Sequence, residues 1–195
     1  DILTQLAELE EEQGRKAKYW VGVASIQQKY LEDRFTAVRS FDKALDADPS
    51  LLRAFEAIDQ ILTEDRDYAR QDRYYRKMLK RATDFELEDQ LVFSLARNLG
   101  EINRTRLQQY AEAIKAYKIA LSRQPDHAPT HQILAQLYEL NDEGGKAVKH
   151  YQRLIELDFV NKENYRSLKR LYYEAGETDS EWCVTQALCV LQAAN

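Results

Sequence analysis

Apolar residues along most of this chain return every three or four positions, the spacing of one buried stripe on an α-helix. Over residues 2–13, Ile2, Leu3, Leu6 and Leu9 fall on one face and Glu8, Glu10, Glu11 and Glu12 opposite, and Gly14 predicts a stop. A longer rhythm overlies the helical one. His131, Leu134, Ala135 and Tyr138 recur 34 positions later as Tyr165, Leu168, Lys169 and Tyr172, with only Lys169 off the pattern. Ala113-x3-Tyr117 recurs as Ala147-x3-Tyr151, again 34 apart, and Ala37-x3-Phe41 has the same form. A unit of that size cannot bury its apolar face alone, so neighbouring units must stack.

This period, with aromatic-x2-Leu-small-x2-Tyr in one helix and small-x3-aromatic in the next, resembles the tetratricopeptide repeat (TPR), whose unit is two antiparallel helices, A and B. The resemblance covers about residues 16–195. It implies an all-α fold, a right-handed α-α superhelix of about five antiparallel helix pairs after an N-terminal helix. The repeats then fall at about 16–49, 50–83, 84–125, 126–159 and 160–195 in a single array, behind a helix at 1–14 from a preceding or capping unit. In the first pair Trp20, Val23 and Ala24 take the Trp, Leu and Gly positions, Ala37, Phe41 and Ala44 the helix-B positions, and Pro49 closes the unit. In the second, Phe55 replaces Trp, and Tyr68 and Tyr75 are the helix-B aromatics. Asp59 and Gln71 stand where small residues are expected, which predicts looser or rearranged packing. The third pair starts about seven residues late, after Arg81-Ala82-Thr83-Asp84, predicting a longer helix A that carries Leu99-Gly100. Its helix B, with Tyr110, Ala113, Tyr117, Ala120 and Pro125, matches best.

The resemblance makes binding, not chemistry, the expected function: a non-catalytic protein-interaction scaffold. In TPR proteins the concave surface comes chiefly from helix-A positions 2, 5, 9 and 12. Those positions here are Lys18, Val21, Ser25 and Gln28; Arg53, Glu56 and Gln60; Ser94, Arg97, Glu101 and Arg104; Gln132, Gln136 and Glu139; and Glu163, Arg166, Arg170 and Tyr173. Arginine forks suit carboxylates and carbonyls, so the expected ligand is an extended or helical peptide of acidic character. The Asn and Lys clamp by which co-chaperones hold acidic chaperone tails is not matched, since Gln60, Glu101 and Gln136 occupy Asn positions. A second expectation concerns the last helix, where Trp182, Val184, Leu188, Val190 and Leu191 run round most of the circumference. A terminal repeat needs a polar outer face, so either further repeats follow in a longer protein or this end pairs with another copy. The missing initiator Met favours the fragment.

Composition narrows the rest. The chain has 195 residues, 44% of them apolar, with only six Gly and three Pro, which excludes a sandwich or a disordered linker. A formal net charge of -5 argues against wholesale attraction to nucleic acid or an anionic membrane. Arg66, Arg70, Arg73, Lys77 and Lys80 form a basic stripe on one helix face, but Glu64, Asp65, Asp67 and Asp72 beside it favour a salt-bridged, solvated surface. No run approaches the length of a membrane span, and no secretory leader pattern opens the chain. Cys183 and Cys189 lie about 240° apart and about 9 Å along one predicted helix, too far for a disulfide, which favours a reducing, cytoplasmic setting. His127 and His131 have the i, i+4 spacing of zinc ligands, yet no third ligand is evident. Asp126 reads as the N-cap there and His131 as a buried residue. Phosphate loops, nucleophile elbows and Cys-x2-Cys pairs are absent, so no cofactor, metal or catalytic residue is expected.

Overall fold

The computed structural model describes residues 2–193, and every regular element among them is an α-helix. The chain divides into two compact units, Asp1–Gln108 and Gln109–Asn195; the repeat pattern, read as one array, carries no mark of that division.

The first unit contains α1 (Ile2–Leu9), α2 (Gln13–Lys29), α3 (Arg34–Ala47), α4 (Leu52–Glu64), α5 (Tyr68–Asp84) and α6 (Asp89–Thr105). Each helix packs on the next, and connections this short make neighbours antiparallel. Carboxylates start two of them: Asp33 accepts from the Thr36 N–H and Asp67 from the Arg70 N–H, both at 3.0 Å. Trp20, Val23, Ala24, Ala37, Phe41 and Ala44 are all buried. Phe55 and Tyr75 meet edge to face with ring centroids 4.9 Å apart, a favoured aromatic geometry.

Three local expectations are corrected. The first helix ends at Leu9, and Gly14 lies inside the first turn of α2. Glu10, Glu11 and Glu12 explain this: carboxylates oppose the dipole at a helix C-terminus and favour it just ahead of an N-terminus. The buried stripe of α1 is Leu3 and Ala7, with Ala7 against Trp20, Val23 and Ala44, so Ile2, Leu6 and Leu9 stay exposed. The extra residues of the third pair do not lengthen its helix A alone. They are shared between α5 and α6, 17 residues each, against 14 in α3 and 13 in α4. And Asp59 and Gln71 do not loosen the second pair. Gln71 is buried and its Nε2 donates to Asp59 Oδ1 at 2.6 Å and to Thr63 Oγ1 at 2.9 Å, a polar bridge where other pairs use small residues.

Two residues of the basic stripe, Arg70 and Lys77, are engaged by the fold, while Arg66, Arg73 and Lys80 are exposed. Arg66 lies in the turn before α5. Arg70 covers the Phe35 ring at 4.7 Å. Lys77 pairs with Asp42 at 2.8 Å and Asp46 at 3.2 Å. Beside it the buried Arg81 donates to the Asp42 carbonyl at 3.0 Å, to Asp42 Oδ1 at 2.6 Å and to Asp46. Burial works to raise the Asp46 carboxyl, but the hydrogen bonds from Arg81 and Lys77 outweigh it and hold it below its ordinary value.

The second unit contains α7 (Tyr110–Arg123), α8 (Ala128–Leu140), α9 (Gly144–Leu157), α10 (Lys162–Ala175) and α11 (Thr178–Ala193). Its core joins Ala113, Tyr117, Leu134, Ala135, Tyr138, Ala147, Tyr151, Leu168 and Tyr172, the residues that carry the 34-residue period. His127, not Asp126, caps α8, its Nδ1 accepting from the Thr130 N–H, while Asp126 pairs with Arg153. His131 is buried and turns away from His127. Its Nε2 donates to the Pro125 carbonyl at 2.7 Å and its Nδ1 meets Nδ1 of His150 at 2.8 Å.

One backbone feature repeats through both units. Each A-to-B turn holds a residue in the left-handed region: Glu32, Arg66, Gln108, Asp142 and Gly176, with φ of 52°, 55°, 55°, 56° and 73°. They lie 34 positions apart except across the lengthened α5 and α6, where the step is 42. Only Gly176 is the residue that adopts this conformation without steric cost.

Candidate functional site

A cleft of about 860 Å³ lies within the second unit, where α8 ends, α9 begins and α10 ends. That is within the range of ligand clefts, roughly 300–1,000 Å³. Leu171 and Tyr172, both buried, with half-buried Val148 and exposed Leu140 supply its apolar lining. Gly144 and Gly145 leave room at the start of α9; a Cβ added at Gly145 would meet nothing within 4 Å.

The polar lining is Gln136, Glu139, Asp142, Arg170, Glu174 and Glu177. Arg170 donates to Glu139 Oε2 and reaches Glu174 at 3.5 Å. The hydrogen bond to Glu139 is the chief reason its guanidinium is held above its ordinary value. The second oxygen of Glu139 is buried beside the Tyr151 hydroxyl without a well-formed hydrogen bond, and burial followed by that contact pushes the Tyr151 hydroxyl up. Glu177 accepts from Ser180 at 3.2 Å. Four carboxylates thus face one guanidinium, so the charge of this cleft runs opposite to the acidic-ligand expectation drawn from the arginines.

Of the residues placed by repeat register on the binding face, Gln136, Glu139 and Arg170 meet in this cleft. Gln132 is half-buried on α8 and Tyr173 is 73% exposed, both outside the lining, and Arg166 pairs with Glu163 on its own helix. In the first unit Arg53 joins Val21, Ser25 and Gln28 around a smaller cleft of about 320 Å³, so four register positions from two repeats do converge. Glu101 lines a third, about 280 Å³, with Tyr68, Gln71, Tyr75 and Asn98. Glu101 also pairs with Arg104 at 2.9 Å. Burial first, then the Asp59 carboxylate, raise the Tyr75 hydroxyl above its ordinary value. Arg97 is exposed on α6 and lines none of these clefts.

On α11, Leu188 is buried and Leu191 half-buried, while Trp182 and Val190 are 64% and 68% exposed. Lys169 stands where the repeat pattern has a small side chain and extends toward Glu181 at 3.9 Å. Cys183 and Cys189 are free and exposed.

Asp142, Gly144, Gly145, Glu174 and Glu177 were missed by register reasoning because it counts along the middle of helix A, whereas the cleft opens at helix ends. The signal was the run Asn141-Asp142-Glu143-Gly144-Gly145, a turn rich in small and acidic residues. Among the described residues no cluster of three metal-ligating side chains occurs, and no helix is long and apolar enough to cross a membrane.

No protein-family profile and no curated protein matches the sequence. Solved structures do match. YrrB, a TPR protein with an unusual peptide-binding site, is 15% identical at a TM-score of 0.55, covering 99% of this chain and 93% of its own. BtubC from P. vanneervenii is 18% identical at 0.53, covering 99% and 86%. MamA from Desulfovibrio magneticus RS-1 is 16% identical at 0.51, covering 93% and 96%. Identities this low speak to fold alone. With the helix pairs, the buried small-aromatic pattern and the 34-residue turn period, they show that this chain has the tetratricopeptide-repeat fold.

Proposed function

We propose that this chain is a non-catalytic protein-interaction scaffold that captures a peptide or helix of a partner protein. The observation that carries this reading is the cleft of about 860 Å³, in which Gln136, Glu139 and Arg170, set on the binding face by repeat register, meet around an apolar floor. Preformed concave sites with a few convergent polar groups are the usual form of a recognition site, and stacked repeats present such surfaces along their helix-A faces. The peptide-binding site of YrrB, a protein of the same fold, supports the same reading. A cytoplasmic setting fits the two exposed free thiols.

A second reading is self-assembly through α11, favoured by exposed Trp182 and Val190. One experiment separates the two: capture of partners from a lysate, with solution mass measured by light scattering on the same proteins. Groove binding predicts that Gly145→Tyr, which fills the cleft, loses the partner while Trp182→Glu with Val190→Glu keeps it. Self-assembly predicts a concentration-dependent mass that falls to monomer only in the Trp182→Glu, Val190→Glu variant. Full capture by Gly145→Tyr refutes the groove reading for this cleft.

A further inference from the structure

From the α8–α10 cleft we infer that its occupant is a basic peptide segment, one presenting a Lys or Arg side chain beside an apolar residue; this rests on the cleft being the binding site. Two features make the cleft a cation site. Glu139, Asp142, Glu174 and Glu177 line it against Arg170 alone, and Arg170 is already engaged by Glu139 and Glu174. Neither Asp142 nor Glu177 pairs with a cation among the described residues.

The lining also has the mixed character that a long basic side chain needs. Leu140, Val148 and Leu171 offer an apolar wall for a four-carbon stem, while the carboxylates stand beside it for the charged head. An acidic segment meets like charge at every polar position except Arg170. A wholly apolar one leaves the carboxylates desolvated without partners.

The test is fluorescence anisotropy of the full chain with three labelled nine-residue peptides. They share a Gly and Leu framework and differ only in carrying Lys, Gln or Glu at three positions. The Lys peptide is expected to bind about tenfold or more tighter than the others, with an advantage that shrinks as salt rises. Glu174→Gln with Glu177→Gln is expected to reduce Lys-peptide affinity by about tenfold, the scale of removing two partly exposed charge contacts. Gly145→Tyr keeps the fold, since its Cβ enters open space, and is expected to block every peptide by filling the cleft. Equal affinity for Lys, Gln and Glu peptides, or an unchanged Glu174→Gln, Glu177→Gln variant, overturns the basic-segment inference while leaving the cleft reading intact, provided Gly145→Tyr still blocks. Native-like binding by Gly145→Tyr overturns the cleft reading itself, and no binding by any peptide overturns the inference.

Discussion

Arg66→Gly is expected to stabilise this protein, although it removes a charged side chain and adds no contact. Arg66 holds φ of 55° in the turn between α4 and α5, is exposed, and closes the turn through its N–H on the Thr63 carbonyl at 3.1 Å. The left-handed region costs a residue with a Cβ about 1–2 kcal/mol. Glycine escapes that cost but adds unfolded-state freedom worth about 0.4–1 kcal/mol. The difference is a gain of about 0.5–1 kcal/mol. Arg66→Ala keeps the Cβ and is expected to change little, which separates backbone conformation from loss of charge. The reciprocal substitution is Gly176→Ala at φ of 73°, where an added Cβ meets nothing within 4 Å. Its whole cost is therefore conformational, about 0.5–1 kcal/mol in the opposite direction. Urea unfolding followed by circular dichroism reads these as midpoint shifts at constant slope. A gain for Arg66→Ala equal to that of Arg66→Gly would place the effect in the side chain. An unchanged midpoint for Gly176→Ala would remove the conformational argument altogether.

Three further outcomes follow from the packing. Burial, then the neighbouring His131, lower His150 to about 4 from its ordinary 6.5, so the unfolded chain binds the proton first as pH falls. Stability is complete above about pH 6.5 and declines toward pH 4 by about 1–2 kcal/mol, allowing for the side chain being only half-buried; His150→Gln should flatten that slope in pH-dependent unfolding. Gln71→Ala should cost about 1–3 kcal/mol by leaving Asp59 and Thr63 without their donor, and Asp59→Ala with Gln71→Ala should recover part of it in a double-mutant cycle. Arg81→Met should cost about 2–4 kcal/mol in thermal or urea unfolding, because Asp42 and Asp46 keep only Lys77; a cost below about 1 kcal/mol would mean that water replaces the guanidinium.

The sequence by itself determined the helices and, within each unit, the packing of neighbours. Trp20, Ala24, Ala37, Phe41, Tyr117, Leu134, Tyr151 and Tyr172 were read as the packing positions of a repeat, and all are buried. Such positions are legible because a helix has a fixed period and a short turn forces its neighbours together. Only the tertiary structure decided what lies between helices distant in sequence. Repeat register read His131 as buried, as it is; that its ring meets His150, nineteen residues away, was decided by the close approach of α8 and α9. Composition marked Asp59 and Gln71 as a packing defect, yet at the distance between α4 and α5 an amide spans to a carboxylate and fills the space. Register found Gln136, Glu139 and Arg170 of the cleft but not its other carboxylates, which lie in turns and at a helix end. Carboxylates at Asp142, Glu174 and Glu177 are unremarkable one by one along the chain. They share one cleft only because the ends of α8, α9 and α10 come together, and no local pattern of residues encodes that meeting.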